Sequence, residues 1–245
     1  MKVIGVIPSR YASTRFPGKG LADICGKPMI WWVYQQMKKV SGIDEAYLAI
    51  DHPKTEIVCQ ELGLPYIMTS DSHPEHISRI WEVSQRIRAD YYLCVNGDEP
   101  LIEPRCIEKV IPDTVQTRPY FRGAMRSLTD PAETIDFANI KLATTEEGKC
   151  IYMSRSPVPY PRGTLLYSYK KYVGIECFNK SVLDLFVSSE MGRLERIEDI
   201  DHLRFLERGQ ELWFMDTDSN SLSVDTPKDL EKVEKIIRQK LDNGE

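Results

Sequence analysis

The fold of this chain is indicated by one stretch near its start, Val3-Ile4-Gly5-Val6-Ile7-Pro8-Ser9-Arg10-Tyr11-Ala12-Ser13-Thr14-Arg15-Phe16-Pro17-Gly18-Lys19. Its first five residues form an apolar run that is typical of a buried strand. The strand leads into a loop that contains prolines, a glycine and three cations, Arg10, Arg15 and Lys19. Because ligands of open α/β sheets bind just beyond the carboxyl ends of strands, the loop predicts a polyphosphate site.

Two further stretches supply the carboxylates that a divalent cation needs. Residues 96–100, Asn-Gly-Asp-Glu-Pro, follow an apolar run at 91–95 that is typical of a strand buried on both faces. Residues 224–227, Val-Asp-Thr-Pro, are predicted to end a short strand and begin a helix, since threonine is a good N-cap and proline suits the first helical position. Asp98 and Asp225 are therefore predicted to meet across the ligand crevice and hold one or two Mg²⁺ ions.

Apolar runs and amphipathic segments alternate along the first half of the chain. This β-α alternation predicts an α/β fold, a three-layer, doubly wound, mostly parallel sheet. The predicted strands are 3–7, 46–50, 65–68 and 91–95, and the predicted helices are 28–40, 53–62 and 76–88. The second half is less regular, with a helix near 104–117, strands near 121–128 and 139–144, a hairpin-like region at 150–178, helices at 180–188 and 198–208, and a closing strand and helix.

The composition limits the class of protein. With 245 residues, 42% of them apolar, the chain is long enough to bury the core of a single domain spanning 1–245. Its net charge of −5 argues against a nucleic-acid partner. The six cysteines form no C-x-x-C pair and are interpreted as reduced thiols of a cytoplasmic protein. No stretch approaches the length of a membrane span, so no membrane partner is predicted.

The motifs resemble those of 3-deoxy-manno-octulosonate cytidylyltransferases. The opening of the family matches residues 7–19, 21–24 and 26–30. The two metal-binding blocks of the family resemble residues 96–100 and 224–230. Two further motifs, at 152–155 and 173–178, fall in the expected order. The resemblance implies a fold like that of nucleotide-diphospho-sugar transferases, with a β-hairpin or lid insertion. It also implies CTP and a small anionic acceptor as substrates, Mg²⁺ as cofactor, and a homodimer whose acceptor and dimer-contact region spans about 120–210.

The predicted site residues fall into three groups. Lys19, Asp98 and Asp225 are the predicted catalytic residues, and the two aspartates are also the metal ligands. The resemblance implies that CTP is bound by Ser9, Arg10, Ser13, Arg15, Lys19, Arg79 and Asn96. It further implies that the acceptor is bound by Arg155, Tyr172 and Glu195.

Three places depart from the family pattern. Residues 75–79, Glu-His-Ile-Ser-Arg, stand where the family usually has Ser-Gly-Thr followed by an acid and Arg. Asn96 replaces the usual Gln, and Tyr172 replaces the expected His. In the family these positions lie around the base and the acceptor. Therefore 3-deoxy-manno-octulosonate, an amino-substituted octulosonate, a nonulosonate and a phosphonate all stay open as acceptors.

Other classes of protein are tested by the same residues. Gly18-Lys19 lacks the preceding glycine of a P-loop, and no Gly-x-Gly-x-x-Gly follows the first strand, so a P-loop NTPase and a dinucleotide oxidoreductase are not favoured. A non-catalytic nucleotide sensor would keep the cationic loop but would have no need of Asp225. The four histidines show no metal-ligand spacing, so no zinc site is predicted.

Overall fold

The structure is a computed structural model that describes residues 1–12, 16–164, 166–219 and 221–244. Its strands are β1 (Val3–Ser9), β2 (Asp23–Ile24), β3 (Lys27–Pro28), β4 (Glu45–Ile50), β5 (Tyr66–Met68), β6 (Tyr91–Val95), β7 (Phe121–Ser127), β8 (Lys141–Thr144), β9 (Cys150–Ser154), β10 (Lys170–Phe178) and β11 (Trp213–Asp216). Its α-helices are α1 (Met29–Lys38), α2 (Pro53–Glu61), α3 (His76–Arg86), α4 (Pro104–Glu108), α5 (Pro131–Ile135), α6 (Lys180–Ser188), α7 (Arg193–Glu198), α8 (Leu203–Glu207) and α9 (Pro227–Asp242).

A nine-stranded sheet forms the centre of the fold, and its main path runs β11-β7-β10-β6-β1-β4-β5. Four of the six neighbouring pairs on this path are parallel, and β10 is antiparallel to both β6 and β7. The predicted mostly parallel sheet is confirmed. The predicted hairpin is placed differently, because β8 pairs with β9, whereas β10 is a long strand of the main sheet.

Helices cover both faces of the sheet because the strands are apolar on both sides. Along β1, Val3 and Ile7 belong to one buried cluster, which α1 covers with Val33 and Met37. The alternate residues of β1, such as Ile4, belong to a second buried cluster with side chains from α3, α6 and α8. This period of two, with no polar face, is what a strand between two helical layers requires.

Three predicted elements differ from the structure. The helix expected near 104–117 ends at Glu108, because Pro112 lies ahead and disfavours helical backbone before it. The helix expected at 198–208 is interrupted at Asp199, whose φ of 52° is left-handed, and helix α8 begins only at Leu203. The strand expected to end at Asp225 does not form; the described residues before it are irregular, and β11 ends at Asp216.

Among the described residues, none of the helices is long and apolar enough to cross a bilayer. The six cysteines are free thiols, and five of them are buried.

Candidate active site

The phosphate end of the site is built where β1 and β6 end side by side. The two strands are parallel neighbours, so the loops that follow them leave the sheet at the same edge. Their close approach depends on Gly97, because a Cβ there would lie 2.8 Å from the Pro8 carbonyl oxygen. Gly20 instead makes room for the side chain of Ser9, whose Oγ would be 2.5 Å from an added Cβ. Gly97 therefore brings two backbone segments into contact, and Gly20 packs against a side chain.

Lys19 joins the two aspartates that the sequence predicted to meet. Its Nζ lies 2.7 Å from Asp98 Oδ2 and 3.5 Å from Asp225 Oδ1. Burial alone would lower the pKa of Lys19, but Asp98 and Asp225 outweigh that effect and raise the pKa above its ordinary value. The lysine is therefore a fixed positive charge between two carboxylates.

Glu99 holds the segment that carries Asp225, and sequence reasoning gave it no role. Its carboxylate accepts short hydrogen bonds from the hydroxyls of Ser221 and Ser223. In addition, the Val224 N–H donates to the Asp98 carbonyl oxygen at 2.9 Å. Burial and the neighbouring Asp98 raise the pKa of Glu99. These contacts replace the predicted strand as the device that places Asp225.

Arg79 lies at the ends of β4 and β5. Its guanidinium donates to Asp51 Oδ2 at 2.8 Å and to Thr69 Oγ1 at 2.5 Å. Asp51 also accepts from the backbone N–H of Tyr11 at 2.8 Å, so the same carboxylate fixes the arginine and the start of the cationic loop. Neither Asp51 nor Thr69 was identified from sequence.

A cavity of about 650 Å³ extends from this phosphate end to a second wall built by β10 and the α7–α8 region. It is lined by the described site residues that the sequence predicted, which are Ser9, Arg10, Lys19, Arg79, Asn96, Asp98, Arg155, Tyr172, Glu195 and Asp225. Ser13 and Arg15 lie outside the described residues. The structure thus brings the described residues of the three predicted groups to one cavity.

The predicted acceptor residues are already bonded within the protein. The Arg155 guanidinium donates to the carbonyl oxygens of Glu198 at 2.7 Å and Asp199 at 2.7 Å, so it fixes the turn after α7. The Glu195 carboxylate is buried and accepts from Arg204 at 2.6 and 2.8 Å. Their free hydrogen-bonding capacity toward a ligand is correspondingly reduced.

Asn96 and Tyr172 are two of the departures from the family pattern; Tyr172 lies on β10, and Asn96 contacts the same strand. The Asn96 N–H donates to the Gly174 carbonyl oxygen at 2.9 Å, and a Cβ on Gly174 would lie 2.6 Å from the Asn96 amide nitrogen. The Tyr172 hydroxyl donates to Glu176 at 2.8 Å. The departing residues are therefore neighbours in space.

His76, the third departure, belongs to a buried charged cluster that spacing did not predict. Its Nε2 lies 2.7 Å from Glu176 Oε2, while His202 contacts the other oxygen of Glu176. Burial opposes both imidazolium charges, but Glu176 and Asp201 raise the pKa of His76, and they raise that of His202 to about 9. Burial would raise the pKa of Glu176, but the two histidines lower it to about 2.

Parallel strands that end at a cationic loop, with two carboxylates around a lysine, define a nucleotidyltransferase site. The comparisons agree: the cytidylyltransferase family model matches residues 4–212. The 3-deoxy-manno-octulosonate cytidylyltransferase of Escherichia coli is 34% identical over 240 residues, covering 98% of each chain. The chain belongs to the cytidylyltransferase family, and within it to the group of 3-deoxy-manno-octulosonate cytidylyltransferases.

Solved structures extend the likeness to the fold. A CMP:2-keto-3-deoxy-manno-octonic acid synthetase in complex with CTP superposes with a TM-score of 0.91 at 34% identity, over 98% of this chain and 100% of the other. The inositol-1-phosphate CTP transferase of T. maritima superposes with a TM-score of 0.70 at 16% identity, over 96% of this chain and 94% of the other, and shows the fold alone. The fold is that of the nucleotide-diphospho-sugar transferases.

Proposed function

We propose that this chain transfers CMP from CTP to 3-deoxy-manno-octulosonate and releases pyrophosphate. The observation that carries the proposal is the convergence of Lys19, Asp98 and Asp225 at one end of a cavity. A sensor would bind nucleotide without needing the second carboxylate. The full-length similarity to proteins named for this acceptor supports its identity.

The reaction is an in-line displacement at the α-phosphorus of CTP. The anomeric 2-hydroxyl of the acceptor gives its proton to solvent water and forms the new P–O bond, while the bond to the β-phosphate oxygen breaks and pyrophosphate takes up the electron pair. Lys19 and Arg10 line the cavity where the triphosphate would lie and stabilise its negative charge. Arg15 is assigned the same role from sequence. Catalysis then depends on positioning and on neutralising charge.

Asp98 and Asp225 fit a magnesium ion, because both carboxylates already lie against one positive charge at the end of the sheet. When bound, the ion supplies positive charge to the phosphate oxygens. The carbonyl oxygen of Asp98 accepts a hydrogen bond from the Val224 N–H, so the fold holds Asp98 and Asp225 near each other without the ion.

Base selection is assigned to Ser9, Arg79 and Asn96, which line the same cavity. Arg79 is held by Asp51 and Thr69, so it presents a rigid edge to the cytosine. Arg155, Tyr172 and Glu195 are assigned to the acceptor. Because Arg155 and Glu195 are bonded within the protein, their main contribution is to shape the wall that the acceptor touches.

The test is pyrophosphate release from CTP and Mg²⁺ with a panel of acceptors: 3-deoxy-manno-octulosonate, its amino-substituted form, nonulosonates and small phosphonates. We expect 3-deoxy-manno-octulosonate to have a specificity constant at least about tenfold above the others. Asp98→Asn protein in the same assay is the control for contaminating activity. If CTP binds but 3-deoxy-manno-octulosonate is inert, the acceptor assignment is wrong. If no acceptor releases pyrophosphate, the transferase assignment itself is wrong.

We further propose a single cytoplasmic domain that forms a homodimer. The free thiols support a reducing compartment. Exposed apolar side chains within 150–178, including Ile151, Tyr160 and Leu166, support a subunit contact there. Light scattering at tens of micromolar protein tests the dimer, and Leu166→Glu should weaken it. A monomer at that concentration would contradict it.

A further inference from the structure

We propose that His76, Glu176 and His202 bind a divalent transition-metal ion, at a site separate from Asp98 and Asp225. The ligand atoms of the three residues all lie within 4.8 Å of one another. They come from α3, from β10 and from the residue before α8, and both histidines direct Nε2 at the one carboxylate. Three ligands from three elements are therefore held together by the fold.

The donor set determines the class of ion. Two imidazoles and one carboxylate suit Zn²⁺ and related ions such as Co²⁺, whereas Mg²⁺ prefers oxygen ligands alone. Imidazoles that bind a metal usually have a carboxylate or carbonyl beside their other nitrogen. Here the Nδ1 atoms of His76 and His202 lie 3.3 and 2.9 Å from the two oxygens of Asp201.

The charges of the cluster balance with either protons or an ion. Two protonated histidines neutralise Glu176 and Asp201 in the ion-free cluster. A divalent ion would replace the two protons, leave both imidazoles neutral and keep the net charge at zero. Glu176 is fully buried and His202 nearly so, so an exchange without net charge avoids the cost of a buried, unpaired charge.

The ion would be reachable from the cavity. His76, Tyr172, Asp201 and His202 line it, while Glu176 is buried behind them. Three protein ligands leave a position open, as in catalytic zinc sites. On this wall, the open position faces the acceptor rather than the triphosphate, so a ligand with a carboxylate or paired hydroxyls could complete the coordination. This last step rests on the proposed function, whereas metal binding does not.

The experiment measures ion binding by the full chain without CTP or acceptor. Chelator-treated protein is titrated with Zn²⁺ in two buffers of different ionisation enthalpy, and Co²⁺ is followed by its absorption spectrum. We expect one ion per chain and, near neutral pH, release of about two protons per ion. His76→Gln and His202→Gln can still donate to Glu176, and circular dichroism checks that each variant is folded; each should weaken binding by about 100-fold or more.

Two controls separate this site from others. His73→Gln removes a histidine that also contacts a carboxylate, Glu82, at 2.6 Å, and should bind the ion like wild type. The double variant Asp98→Asn, Asp225→Asn should also bind it. The proposal is overturned if wild type binds no Zn²⁺ at about 100 µM, if both glutamine variants bind normally, or if binding is lost only in the double variant. The experiment does not measure turnover, so an absence of metal binding would leave the transferase assignment intact.

Discussion

The two ends of the cavity hold their charges in different ways. At the phosphate end, the side chains of Asp98 and Asp225 are 25% and 33% exposed and lie against one lysine. On the opposite wall, the side chains of Glu176 and His202 are 0% and 2% exposed. Leaving a partly hydrated charge unpaired costs little free energy, whereas a buried charge must be neutralised within the protein. Substitutions should therefore affect activity first at one end and stability first at the other.

The largest expected effect is on stability. Glu176→Ala in metal-free protein removes the carboxylate that both His76 and His202 contact, so we expect the free energy of unfolding to fall by about 3–5 kcal/mol. Urea unfolding measures it. Glu82→Ala is the matched control, since it removes a more exposed carboxylate that contacts a histidine, and it should cost roughly 1 kcal/mol. Equal losses of unfolding free energy in the two variants would show that burial does not determine how much each carboxylate stabilises the fold.

The next effect is on turnover. Asp98→Asn and Asp225→Asn should each reduce it by more than about 100-fold, on the order of 3 kcal/mol of barrier, because each removes a proposed metal ligand. Their unfolding curves should stay close to that of wild type. Asp71→Asn, in an exposed turn, is the control. A rate within about threefold of wild type would remove the metal assignment.

Lys19→Ala should lower turnover and CTP affinity together, because the ammonium lies against both aspartates and is proposed to bind the phosphates. Loss of one charge-assisted contact corresponds to about 1.5–3 kcal/mol. Calorimetric titration with CTP and steady-state kinetics measure the two effects, with exposed Lys38→Ala as control. Unchanged kinetics would show that the loop is a surface turn without a role in binding CTP.

The smallest effect is a pH dependence of stability in metal-free protein. The raised pKa of His202 contributes stability that is complete below about 6.5 and is lost as the pH rises through about 9. The lowered pKa of Glu176 contributes stability that is complete above about 4.5 and is lost as the pH falls through about 2. Unfolding free energies from pH 5 to 10 should thus decline toward the alkaline end. His202→Gln should decline less, and an identical slope would contradict the assignment.

The phosphate end could be predicted because its residues lie in short motifs next to strands. Asp98 follows the buried strand β6, and Lys19 ends a loop that contains Pro17 and Gly18. The buried charged cluster of His76, Glu176 and His202 could not be predicted in this way. His76 and Glu176 are 100 residues apart, and only the placement of α3 beside β10 brings them together. The departure of His76 from the family pattern was the one available signal, and it pointed to the pocket but not to its partners.

Two of the errors in secondary structure arose where side chains bond to distant parts of the chain. Asp199 ends α7 in a left-handed conformation while Arg155, from another part of the chain, binds its carbonyl oxygen. Ser221 and Ser223 bond to Glu99 instead of joining the sheet. Local propensity contains no information about such distant partners, whereas the apolar periods of β1 and β6 depend only on neighbouring residues.

The hydrogen bond from Val224 to the Asp98 carbonyl has a consequence for the newborn protein. A ribosome makes Asp98 long before Asp225, and the third apolar cluster, which includes Val224, Val233 and Ile237, cannot close on Ile24 and Met29 until helix α9 has emerged. Most of the sheet can therefore assemble during translation while the nucleotide end stays incomplete. The nucleotide end is complete only after Val224 and helix α9 have been made, so nascent fragments that lack them would hold a folded core without the ability to consume nucleotide.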